Sequence, residues 1–283
     1  MAMIDANGIR LHVQRMPAKN TEGPLAGASI GRAAGRAPTV VFIHGLGTDS
    51  LASFYFTLAA PVSAAGMEVL AFDLRGHGRS SRPETGYRVS DFVGDLHAML
   101  DEMDVRGPVH LVGNSFGGTV AFSYAVAHPE RVASIVMIES EPATPAWSEK
   151  LGGLLGRAAE QLRYEEAFAW ITENQGAHTS RLAKAASNAL CNTSMAVDIP
   201  SGPVHSAEEI SSVTCPVLAI FGSESDLAVQ AQLMEDRLER CRSVVVGGHE
   251  HSVLVEAPKT VRDLLLPWVA EHEQGRVLEG TPA

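Results

Sequence analysis

Cysteine is scarce in this chain: three in 283 residues, at Cys191, Cys215 and Cys241, widely spaced and odd in number. That pattern argues against a disulfide framework or a zinc knuckle, and a reducing cytoplasm is the expected compartment. Positive charge is also short, with 22 Lys+Arg against 33 Asp+Glu and a formal net charge of −11. No basic stripe is available for phosphates, so nucleic acid is not an expected partner. No apolar run approaches the ~18 residues of a membrane helix. Met1 to Arg10 carries Asp5 and lacks the apolar core of a secretory signal, so neither export nor a membrane is expected. There is no GxxxxGK[ST], no GxGxxG between strand and helix, no HExxH and no EF-hand loop; the expected cofactor and metal content is therefore none. What remains is a chain read as soluble and globular, 45% hydrophobic and long enough to bury a sizeable core.

What is present is an alternation. Residues 4–16 read as a hairpin turning at Asn7-Gly8, a dipeptide suited to positive φ. Residues 17–38 are rich in Gly, Ala and Pro and read as a flexible loop or insertion. Continuous apolar runs then recur at 40–43, 69–72, 109–112, 135–138, 217–220 and 244–246, as strands covered on both faces do. Helical patterns fall at 52–65, 90–103, 117–128, 227–239 and 259–271; in the second, Phe92, Leu96, Met99 and Leu100 share one side. This order predicts an α/β fold with a mostly parallel central sheet and helices on both faces. Residues 142–210 break the pattern with helical stretches near 148–163, 164–174 and 180–190. They are expected to form a helical lid inserted between two strands of a core made of residues 1–141 and 211–283.

Directly after the 109–112 run stands Gly113-Asn114-Ser115-Phe116-Gly117, followed by a helical pattern. G-x-S-x-G alone is a weak signal, and the bland reading is a serine capping the helix. Between a strand and a helix it gains weight, because a nucleophile on a bend at positive φ leaves no room for a Cβ two residues to either side. The 40–43 run ends in His44-Gly45-Leu46-Gly47, and the 69–72 run in Asp73-Leu74-Arg75-Gly76-His77-Gly78-Arg79-Ser80. With these three motifs in this order the chain resembles the α/β-hydrolase fold family over residues 4–272.

The resemblance implies Ser115 as nucleophile and the backbone N–H groups of Leu46 and Phe116 as an oxyanion hole. His44, Asp73, Arg75 and His77 are read as holding their own loops. The family order Ser, Asp/Glu, His places the acid after the 217–220 run, where Asp226 is preferred over Glu224. Some relatives carry it one strand earlier, which nominates Glu139 or Glu141. Two histidines compete as base. Taking His251 as origin puts Gly248, Glu256 and Pro258 at the family positions; taking His249 puts Val246, Leu254 and Glu256 there. His251 is therefore the expected base, and activity is expected to fall at low pH as it protonates. An H-x-H metal half-site is the lesser reading, since no third ligand is evident.

Epoxide hydrolases and dehalogenases that resemble this chain place Asp where Ser115 stands, and both are disfavoured. The expected function is a serine hydrolase acting on an ester, thioester or lactone of a largely apolar small molecule. Trp147, Phe168 and Trp170 of the 142–210 segment are candidate substrate-binding residues. A lyase, a carbon–carbon bond hydrolase or a cofactor-free haloperoxidase on the same triad is the alternative, and a non-catalytic ligand-binding protein a more remote one. The oligomeric state is not readable from the sequence.

Overall fold

The computed structural model describes residues 2–19 and 37–279. Residues 20–36, most of the stretch read as a loop, lie outside the described residues. An eight-stranded sheet has the order β1-β2-β4-β3-β5-β6-β7-β8. Its strands are β1 (Ala2–Ala6), β2 (Ile9–Met16), β3 (Thr39–Ile43), β4 (Glu68–Phe72), β5 (Val109–Asn114), β6 (Val132–Ile138), β7 (Val217–Gly222) and β8 (Cys241–Val246). β1 and β2 form the antiparallel hairpin, with Asn7 and Gly8 both at positive φ, and β2 pairs antiparallel with β4. Every pairing from β4 through β8 is parallel.

The continuous apolar runs are explained by two separate cores. Val41 and Ile43 of β3 face one, while Val40 and Phe42 face the other. The first core is closed by α3 (Val89–Glu102) and α4 (Phe116–Ala127). The second is closed by α1 (Ala52–Phe54), α2 (Ala60–Ala64), α10 (Val253–Glu256) and α11 (Pro258–Glu279). A π-helical turn, Tyr55–Ala59, separates α1 from α2. The 52–65 pattern is therefore three short pieces instead of one helix. α4 is buried from Phe116 to Ala125, and a helix apolar all round belongs at the centre of a molecule, not on its face.

Between β6 and β7 there is no strand. The segment holds α5 (Pro145–Gln161), α6 (Glu165–Asn192), α7 (Met195–Asp198), a 3₁₀ turn Ile199–Ser201 and α8 (Ala207–Ser211). α6 is interrupted at Gly176, at φ 88° and ψ 160°, between the two stretches expected at 164–174 and 180–190. α5 starts where Thr144 Oγ1 accepts the Trp147 N–H (3.1 Å). The return to the sheet is fastened by His205, whose N–H donates to Ala143 O (2.6 Å) and whose Nε2 pairs with Ser123 Oγ on α4 (2.9 Å). α9 (Gln230–Arg237) follows β7 and is shorter than the 227–239 pattern. Among the described residues no helix is long and apolar enough to cross a membrane.

Candidate active site

The parallel strands β3 to β8 deliver their following loops to one end of the sheet, the usual end for ligand sites in such folds. Ser115 is the first residue after β5 and adopts φ 52°, ψ −123°. For a residue with a Cβ this is a strained conformation, kept only where surroundings impose it. Here the imposition is visible. The Ser115 N–H donates to Ile138 O (2.8 Å), so β6 holds the bend from one side. Gly113 and Gly117 permit it from the other: a Cβ on Gly117 would collide with Ile43 O, and one on Gly113 with the Gly117 backbone.

His251 lies in the loop after β8. Its Nε2 is 2.9 Å from Ser115 Oγ, and its Nδ1 is 3.2 Å from Glu139 Oε2. A carboxylate only accepts, so Nδ1 carries the proton and Nε2 is free to accept the serine proton. The ring is 45% exposed, while the Glu139 side chain is fully buried. His249 instead meets Glu256, 3.0 Å from Nδ1 to Oε2, and takes no part in this chain of contacts.

The carboxylate at His251 is thus Glu139, not Asp226, which lies exposed on the loop after β7 and makes no hydrogen bond to the ring. The register explains the difference. Asn114 pairs with Ile138, and Ile138 with Ile220, so Ser115 and Glu139 leave adjacent strands at the same level. The Glu139 N–H donates to Ile220 O (2.8 Å), extending the ladder by one residue, and Glu139 sits at φ 50°. Its Oε1 accepts the Gly222 N–H, and its Oε2 accepts Ser225 Oγ–H (2.6 Å) as well as His251. The burial is therefore fully compensated. Glu141 is occupied elsewhere, by Lys150 on α5 and by Gln230 on α9. The available signal for Glu139 was a carboxylate directly after the apolar run 135–138.

The loop after β3 comes up beside the nucleophile. A Cβ on Gly45 would stand 3.3 Å from Ser115 Cβ. Gly45 N–H donates to Asp49 Oδ2 (2.7 Å) and Gly47 N–H to His77 Nε2 (3.2 Å), while the intervening Leu46 N–H has no acceptor among the described residues. Phe116 occupies the first position of α4, where an N–H has no intrahelical acceptor.

The polar side chains below this loop are anchors. His44 Nε2 accepts the Leu74 N–H (3.0 Å), so its Nδ1–H donates to Gly45 O (2.7 Å). His77 is arranged likewise, with Nδ1–H on Arg75 O (2.9 Å). Burial pushes both rings below the ordinary histidine value, His77 to about 4, with the neighbouring His44 adding to its shift. Asp73 accepts from the Leu51 and Arg79 N–H groups, 2.9 Å each, and from His12 at 2.8 Å. Arg75 forks onto Asp95 of α3, at 2.6 and 2.5 Å.

Of the three aromatic candidates only Trp147 approaches the site. It is buried and stacks on Phe116, with ring centroids 6.4 Å apart. Phe168 packs inside the helical segment beneath Lys184, 5.3 Å from Nζ to the ring centre, and Trp170 is 57% exposed. Both lie on the first half of α6, whose contacts are with the rest of that helix instead of with the elbow.

A strained serine after β5, a buried carboxylate after β6 and an imidazole after β8 meet at one end of a mostly parallel α/β sheet. A sequence profile of the alpha/beta hydrolase fold matches residues 38–258, and the chain belongs to that family. It is 42% identical over 77 residues to a non-heme chloroperoxidase of Streptomyces lividans, covering 27% of this chain and 28% of that protein. It is 32% identical over 138 residues to epoxide hydrolase B of Mycobacterium tuberculosis, covering 48% and 34%. In both alignments the chain spans only about a third or less of the relative. The enol-lactonase of Burkholderia xenovorans LB400 superposes with a TM-score of 0.69 at 18% identity, over 95% of this chain and 99% of that one, a likeness of fold.

Proposed function

We propose that this protein is a serine hydrolase that cleaves an ester, thioester or lactone of a largely apolar small molecule through an acyl-enzyme on Ser115. The observation that carries the reading is the continuous path Ser115 Oγ to His251 Nε2 (2.9 Å) and His251 Nδ1 to Glu139 Oε2 (3.2 Å). His251 takes the hydroxyl proton as Ser115 Oγ attacks the carbonyl carbon, and the buried Glu139 carboxylate stabilises the imidazolium. The tetrahedral oxygen is received by the N–H groups of Leu46, on the loop that passes beside the nucleophile, and of Phe116, the residue after Ser115. His251 then returns the proton to the leaving alcohol, thiol or hydroxyl. Water, deprotonated by the same ring, releases the acyl group.

Ser115 at the elbow supports acyl transfer over epoxide opening, which the resemblance associates with Asp at that position. Trp147 against Phe116 supplies an apolar wall next to the oxyanion donors, in keeping with an apolar acyl or alcohol group. The test is a panel of p-nitrophenyl esters of increasing chain length, acyl-CoA thioesters and lactones, with acyl-enzyme detection by mass spectrometry. The expected result is turnover on at least one class and a mass adduct on Ser115 that is lost in Ser115→Ala. Undiminished activity in that variant overturns the mechanism. The stretch shared with the chloroperoxidase favours a second reading, halide oxidation by hydrogen peroxide at the same triad, which a bromination assay separates.

A further inference from the structure

The loop after β7 does not bring its carboxylate to His251, but it does bring a hydroxyl. Ser225 is buried between the exposed Glu224 and Asp226. Its backbone is fixed on both sides, with its N–H on Gly222 O (3.2 Å) and its carbonyl accepting the Ala228 N–H (3.1 Å). Its Oγ accepts the Leu227 N–H (3.2 Å) and lies 2.6 Å from Glu139 Oε2. A hydroxyl has one proton, and a carboxylate only accepts. The Leu227 contact uses an Oγ lone pair, so the Oγ–H points to Glu139. It lands on Oε2, the oxygen that also receives His251 Nδ1–H, while Oε1 is held separately by the Gly222 N–H.

We infer that Ser225 is a positioning residue for the triad, acting through Glu139 to set how strongly the carboxylate holds His251. This rests on the triad reading above. An O–H donor on Oε2 draws negative charge from the oxygen that faces the imidazole. Removing it leaves the carboxylate in place on the Gly222 N–H but makes Oε2 a stronger partner for the imidazolium. The other charged groups near His251 are Glu224 and Asp226 on the β7 loop and Glu250 and the His249–Glu256 pair on its own side. All are unchanged by a substitution at 225, so a shift reports the Glu139 contact.

The experiment is the NMR titration of the His251 ring in the intact protein, its signals identified by their loss in His251→Asn. Ser225→Ala is expected to raise the titration midpoint by about half a pH unit. The acid limb of kcat/KM should move in the same direction, with KM little changed. Ser225→Thr, which keeps the hydroxyl, is expected to restore the midpoint, and Ser225→Cys, a weak donor of similar size, to shift it as alanine does. A midpoint unmoved by both Ala and Cys, in a protein where Glu139→Gln lowers it, overturns the role of Ser225 and leaves the triad standing. A midpoint unmoved by Glu139→Gln as well overturns the triad reading with it.

Discussion

Glu139 is the side chain on which the proposed chemistry turns, and its neighbours allow a sharp comparison. Glu139→Gln keeps the volume but cannot hold the imidazolium, and it is expected to lower kcat/KM by about 10²- to 10⁴-fold. Asp226→Asn, altering an exposed carboxylate, is expected to leave kcat/KM within about twofold of the parent. Steady-state kinetics on one responsive ester measures both, and the reverse ranking would return the acid to the β7 loop. Gly222 offers a second test. A Cβ there would run into the carbonyl oxygens of His249 and Glu250, the backbone that carries His251. Gly222→Ala is expected to cost about 1–3 kcal/mol of stability and to lower kcat more than urea unfolding alone explains. The half-buried thiols of Cys215 and Cys241 offer no rival nucleophile, since burial pushes them to about 12 and about 11.

Helix α3 is held to the loop after β4 by a buried ion pair. Burial raises the Asp95 carboxyl above its ordinary range, and the Arg75 guanidinium works against that shift. Arg75→Ala leaves the carboxylate buried without its partner, and such losses cost about 3–5 kcal/mol. Urea denaturation should show this loss in full at neutral pH and less of it at acid pH, where Asp95 protonates. A loss below about 1 kcal/mol at neutral pH would mean that the pair is not what docks α3. The helical segment between β6 and β7 has a comparable device, since Glu141 joins Lys150 of α5 to Gln230 of α9. Lys150 is half exposed, so that contact is expected to matter less for stability.

The molecule as a whole carries an acid sensitivity that its charge total does not reveal. His44 and His77 are buried, neutral and depressed below the ordinary value of 6.5. The unfolded chain binds protons on these rings before the folded one does. For His77 the contribution is therefore intact above about pH 6.5 and is lost as pH falls toward 4, and that of His44 falls in the same direction. For His77 the loss is on the order of 3 kcal/mol. Urea midpoints measured from pH 7.5 to 4.5 should fall, and His77→Gln should flatten that slope. An unchanged slope would show that other groups carry the acid response.

The strand runs were legible in the residues, while the elbow at Ser115 and the preference for His251 over His249 were implied by the resemblance, through motifs that are local in the chain. Continuous apolar stretches follow from burial on both faces, and paired glycines follow from the close approach of β3 and α4 to the bend. The identity of the carboxylate was not local. Glu139 and Asp226 both follow apolar strands, and linear order cannot say which loop folds beneath the imidazole. That was decided by register: β6 lies between β5 and β7, so the residue after β6 is the one flanked by Ser115 on one side and by Gly222 and Ser225 on the other. The aromatic residues of the 142–210 segment show the same limit. Composition marks Trp147, Phe168 and Trp170 equally, yet only packing separates the ring that stacks on Phe116 from those that face Lys184 and solvent. Sequence determines which groups are available and how each strand ends, whereas their meeting depends on contacts between residues as far as 136 positions apart.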